Sequence, residues 1–168
     1  DNEEIQSQPN LDPTGLESNF EEGMEEEDEV VVSPEDLKKA KAFVEEGIKL
    51  YQEKQYEQAK ENLEQALTID PTDPELNHYL GLVEYALGNY EASVFAFERV
   101  LFIDPKKYPS RLELAKSLLA QGNKAKAKKN FEMVLREKIP LTVRANIGLY
   151  LSQINSEEKH SFSGAFLL

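Results

Sequence analysis

From Ala40 to Val134 the apolar residues recur at steps of three and four, the period that lines one face of a helix, and short groups containing Gly, Asn, Asp or Pro interrupt them. The pattern predicts an all-α chain with helices over 35–53, 56–69, 74–87, 90–103, 108–121, 124–137 and 141–154. Ser33-Pro34-Glu35-Asp36 supplies a capping hydroxyl, a first-turn proline and acidic residues at the positive end of a helix, and Asp73-Pro74-Glu75 repeats that start signal. Gly88-Asn89 and Gly122-Asn123 offer the conformations needed to reverse the chain between helices.

The helices are not independent of one another. Asp70-Pro71 and Asp104-Pro105 lie 34 residues apart, and Gly47, Tyr56, Ala59, Leu63, Ala66 and Pro71 return at that step as Gly81, Tyr90, Ser93, Phe97, Val100 and Pro105. A third copy keeps the frame through Ala115, Lys124, Ala127, Phe131 and Val134, with Ile139 in the proline's place and Pro140 one position late. Small residues let two antiparallel helices approach, and large apolar ones fill the space beside them.

These positions resemble the tetratricopeptide repeat family, with Leu80, Gly81, Tyr90, Phe97 and Pro105 matching best and Phe43, Asn77 and Arg111 standing where the family has an early Trp. The resemblance spans about Ala40 to Pro140. It implies a right-handed solenoid of three helix-turn-helix repeats, at about 40–73, 74–107 and 108–140, closed by a helix over 141–154 in which Asn146-Ile147-Gly148 parallels Tyr79-Leu80-Gly81. In the family the first helix of each pair lines the concave wall. Carried over by position, that wall holds Val44, Ile48, Tyr51, Tyr79, Leu82, Tyr85, Leu112, Lys116, Leu119 and Leu149, an apolar surface rich in tyrosine. Some members grip a partner's terminal carboxylate with Lys and Asn there. Val44 and Ile48 occupy those places here, so an extended or helical apolar peptide fits better.

Charge divides the chain. Residues 1–37 hold 14 acidic and no basic residues, and the first 33 read as a disordered leader with too little apolar surface to offset the entropy of ordering. Residues 38–105 sum to -6, while residues 106–144 carry eleven basic and three acidic residues, a net charge of +8, concentrated in the patch Lys124, Lys126, Lys128 and Lys129. The acidic block reads first as a solvating leader; the sharper alternative, drawn from that polarity, is that it folds back onto the third repeat and yields to a partner or to salt. Nucleic acid is not the expected ligand, because the lysines lack interleaved aromatic platforms and the signatures of nucleic-acid modules.

Chemistry has little to stand on. The chain contains no cysteine and two histidines, His78 and His160, and no phosphate loop or metal-ligand spacing. We therefore expect no enzyme, cofactor or metal. A mean hydropathy of -0.57 and the absence of any run near ~18 apolar residues predict a water-soluble chain without a membrane helix. The start at Asp1, without Met or a signal segment, suggests a processed chain or a recombinant fragment.

After the polar group Ser156-Glu157-Glu158-Lys159 the helical period is lost, and Phe162 and Phe166 fall on one side of an extended chain. Residues 156–168 then read as a linker and the start of a membrane-barrel strand. This order is similar to the surface lipoprotein assembly modifier family, which implies a periplasmic repeat domain that binds a client polypeptide for an outer-membrane barrel. A self-assembling scaffold and a cytosolic adaptor share the same fold and remain the alternatives, since the lack of cysteine suits either compartment.

Overall fold

The computed structural model describes residues 31–165; residues 1–30, most of the acidic leader expected over 1–33, lie outside them, as do residues 166–168. Helix starts follow the local chemistry where a capping side chain is present. The Ser33 hydroxyl accepts the Asp36 amide at 3.1 Å ahead of α1 (Pro34–Gln52), and the Asp73 carboxylate accepts the Glu75 amide at 2.9 Å ahead of α3 (Pro74–Ala86). The partners α2 (Tyr56–Ile69) and α4 (Tyr90–Ile103) follow, then α5 (Tyr108–Ala120), α6 (Lys124–Leu135) and α7 (Leu141–Ala165). The described residues contain no strand.

Three reversals share one geometry. Lys54, Gly88 and Gly122 stand 34 residues apart, and all three have positive φ, at 61°, 79° and 91°. Helices α1 and α2, α3 and α4, and α5 and α6 pair as hairpins that stack through α2 on α3 and α4 on α5. Burial follows the repeat. Ala59, Leu63 and Ala66 of α2 pack with Val44 of α1 and with Leu76, Leu80 and Val83 of α3, while Phe97, Leu114, Phe131, Val134, Ile147 and Ile154 build a second cluster from α4 to α7.

Polar groups inside the stack are paired. Ser93 Oγ donates to the Gly81 carbonyl at 3.0 Å and lies 2.8 Å from Ser117 Oγ, which ties α3, α4 and α5 together. Lys60 Nζ lies 3.0 Å from Glu84 Oε1, and Asn89 Nδ2 donates to Oε2 at 2.8 Å, so this buried carboxylate joins α2 to α3. No buried side-chain nitrogen or oxygen among the described residues lacks a partner.

The carboxyl end departs from the expected linker and barrel strand. Helix α7 continues from 141 to 165, eleven residues past the predicted end, and residues 155–164 are exposed. The polar group after Ile154 marks departure from the core, not a change of backbone. Glu157 and Lys159 are good helix formers, Gln153 Nε2 donates to Glu157 across one turn at 3.5 Å, and Glu157 also pairs with Lys124 of α6. No described helix is long and apolar enough to cross a membrane.

Candidate functional site: a tyrosine wall around an ion pair

The four odd-numbered helices present one wall. Tyr51 of α1 meets Tyr79 of α3 edge-on, with ring centroids 5.9 Å apart, and also tilts against Tyr56 at 5.8 Å. Six residues along α3, Tyr85 packs on Tyr90 at 5.3 Å. On α5, Lys116 Nζ lies 3.0 Å from Glu113 Oε1, with both side chains only about a quarter exposed (25% and 21%).

These groups lie near enough to shift one another's charge. Burial, then the neighbouring Tyr56, Glu113 and Tyr79, push the Tyr51 hydroxyl above its ordinary range. Tyr85 is raised by burial first and by Tyr150 of α7 second. Burial draws the Lys116 ammonium down, but Glu113, Tyr150 and Tyr85 outweigh it and hold the ammonium above its usual value. The wall therefore offers phenol faces and hydroxyls around one charged pair.

Ile48, Leu82, Leu112 and Leu119 are half-buried beside these groups. Val44 is a correction: at 3% exposure it belongs to the first core, packed with Leu76 and Leu80, because α3 covers that face of α1. Leu149 is 72% exposed, and the group that α7 turns toward Tyr85 and Lys116 is Tyr150, stacked on Phe131 at 5.0 Å. A shift of frame to align Gly148 with Gly81 hid this residue. The unbroken step of 34 leads from Ile48 through Leu82 and Lys116 to Tyr150, and from Tyr79 to the equally overlooked Glu113.

The basic patch does not act as one unit. Lys124 pairs with Glu157, whereas Lys126 and Lys129 line the outer groove between α4 and α6. His78 is a packing residue that joins repeats: Nδ1 lies 2.8 Å from Ser110 Oγ, and the ring meets Tyr79 and Phe97 edge-on. Burial, with Lys107 adding to it, lowers its pKa to about 4. Among the described residues no three His, Asp or Glu side chains converge as a metal site. A cleft of about 780 Å³ is bordered by Lys60, Glu84, Asn89, Tyr90 and Phe95 and by none of Tyr51, Tyr79 and Tyr85.

Comparison with known proteins places this geometry. Residues 47–88 match a family model described as TPR repeat, and residues 74–107 and 110–137 match models described as tetratricopeptide repeat. Among solved structures, the Yersinia enterocolitica type III secretion chaperone SycD in complex with a peptide of the translocator YopD is 19% identical with a TM-score of 0.65, covering 70% of this chain and 93% of that one. The first TPR domain of the human RPAP3 protein is 17% identical with a TM-score of 0.67, over 74% and 98% of the two chains. The first TPR of Spaghetti (RPAP3) bound to the HSP90 peptide SRMEEVD gives 18% and 0.64, over 73% and 94%. The hairpins, the shared reversals and these matches agree, and the chain carries tetratricopeptide repeats.

Proposed function

We propose that this chain binds a peptide segment of a protein client along the wall formed by α1, α3, α5 and α7, and that it does so without catalysis. The observation that carries the reading is the ring of Tyr51, Tyr79, Tyr85 and Tyr150 about the Lys116–Glu113 pair. Tyrosine supplies contact area with little side-chain entropy to lose, and its hydroxyl stays wet at the rim of an interface. SycD and Spaghetti, similar in fold, are seen with peptides, which supports a peptide ligand here. The absence of a donor at Val44 and Ile48 favours apolar anchors over a grip on a terminal carboxylate.

Handing that client to an outer-membrane barrel from the periplasm is a finer use of the same wall, supported only by the order of motifs after the repeats, and residues 156–165 are helical where that order expected a linker and strand. The wall binds its client whichever compartment holds the chain. The test is selection of peptides from a random library on the full chain, followed by titration against Tyr51→Ala, Tyr79→Ala and Tyr85→Ala. Selected peptides should lose about tenfold or more in affinity while helical circular dichroism is retained. Binding untouched by all three substitutions would refute the reading, and loss of helicity in all three would show the tyrosines to be core.

A further inference from the structure

The outer face of the second and third repeats carries a second surface that the tyrosine wall does not use. Phe95 and Phe102 lie seven residues apart on α4, hence on one side of the helix, and they are 53% and 90% exposed. Beside them run two adjoining clefts of about 600 Å³ and 460 Å³ that share Glu98, Leu118 and Lys126. Val94, Leu101, Leu114 and Leu118 form their floor, and Lys126 and Lys129 of α6 stand on the far side. An aromatic rail, an apolar floor and a cationic rail make a groove open to solvent. Scattered apolar residues on a surface need no explanation, but a pair aligned along such a groove does.

The cations decide what the groove fits. Helix α6 places Lys124, Lys126, Lys128 and Lys129 in its first two turns, with no acidic residue before Glu132, at the end where the helix dipole already favours negative charge. The equivalent turns of α2 and α4 carry Glu57 and Glu91. Lys124 is compensated by Glu157, yet no described carboxylate lies within ion-pairing distance of Lys126 or Lys129. This arrangement costs the isolated fold a little stability, and a negatively charged ligand removes the cost.

We propose that this outer groove docks an acidic amphipathic helix of a partner protein, whose apolar residues at helical spacing rest on Phe95, Phe102 and the floor while its carboxylates meet Lys126 and Lys129. The mode is helix-in-groove recognition with electrostatic selection. Glu98, in the middle of the groove, and Glu91, at the Phe95 end, oppose such a ligand and set a limit on its charge there.

The chain has no tryptophan, so a single-Trp probe is read without background. The experiment titrates the full chain into a 16-residue peptide with Trp and Leu at positions i, i+4 and i+7 and Glu at most others, at 50 and 300 mM NaCl. We expect saturable binding that weakens at least threefold at the higher salt. Phe102→Ser and the pair Lys126→Glu, Lys129→Glu should each weaken binding about tenfold, Glu98→Gln should strengthen it, and Tyr85→Ala should change nothing. Phe102 is too exposed to hold the fold together, and circular dichroism of that variant verifies this. The proposal is overturned by the absence of saturable binding at 50 mM, by binding indifferent to Phe102→Ser, or by binding lost only in Tyr85→Ala. Concentration-dependent dimerisation abolished by Phe102→Ser would likewise overturn it, by giving the face to a second copy of the chain.

Discussion

A Cβ on Gly81 would lie 2.6 to 2.8 Å from three ring carbons of Phe97, a side chain with no exposed surface. This contact joins α3 to α4, and the buried ring also makes an edge contact with His78, three residues from Gly81 on α3, at 5.5 Å. The ring has nowhere to retreat, so Gly81→Ala should lower stability by about 1 to 3 kcal/mol through overpacking. Gly148 of α7, one residue out of the step of 34, has nothing near it, and there Ala should raise stability by about 0.5 to 1 kcal/mol through helix propensity. Urea unfolding of both variants checks the opposite signs. Equal effects would mean that α3 and α4 separate easily.

Asn77 is fully buried, and its amide nitrogen donates to the carbonyls of Pro71 and Asp73, each at 2.9 Å, while its oxygen accepts from Arg99 Nε at 2.7 Å. Arg111, one repeat on, donates to the Pro105 carbonyl at 3.2 Å and to Asn130 at 3.0 Å. The two residues therefore fasten the turn between repeats to the helix that follows. Asn77→Leu leaves the Pro71 carbonyl and the Arg99 donor without partners and should cost about 1 to 3 kcal/mol. Amide exchange in residues 70–73 should quicken in that variant more than exchange in α6, which distinguishes a local latch from a general loss of packing.

Much of this fold was legible because each repeat imposes the same packing on residues 34 positions apart. Gly47 and Gly81 mark the closest approaches, Leu63 and Phe97 fill them, and the first six helices fall within two residues of the predicted bounds. What could not be read was polar substitution at an apolar position. Asn77 and Arg111 stand where a large ring was expected, and sequence alone does not tell that hydrogen bonds across six residues replace its packing. The candidate site was legible in its tyrosines, but Val44 required knowing that α3 covers it, and Glu113 and Tyr150 required trusting the step of 34 over a single glycine. The end of α7 was misread because exposed polar residues look alike in a helix and in a linker.

Lys54 occupies the position that Gly88 and Gly122 fill in the next two reversals, and it does so at φ 61°. A side chain in the left-handed region costs about 1 to 2 kcal/mol, partly offset in the glycine variant by a freer unfolded chain. Lys54→Gly should therefore raise stability by up to about 1 kcal/mol without altering the helix pair. Thermal unfolding of the full chain measures it, and a decrease would mean that Lys54 contributes a contact that outweighs its strain.

His78 sets a pH dependence that can be isolated. Burial and Lys107 lower its pKa to about 4, against an ordinary value of 6.5, so between those limits the unfolded chain binds more protons than the folded one. The contribution of this neutral ring is fully present above pH 6.5 and declines as pH falls toward 4, the reverse of a histidine that gains an anionic partner. Carboxylates titrate at the acid end of the same window, so the wild-type slope alone is ambiguous. In His78→Gln the side chain retains a polar group facing Ser110 but has no proton to take up. Urea unfolding at pH 7.5 and pH 5 should therefore show a stability loss in the wild type that exceeds the loss in His78→Gln by up to about 2 kcal/mol. Parallel losses would mean that the ring is charged as readily in the fold as outside it, and that the contacts with Tyr79, Phe97 and Ser110 open enough to admit water.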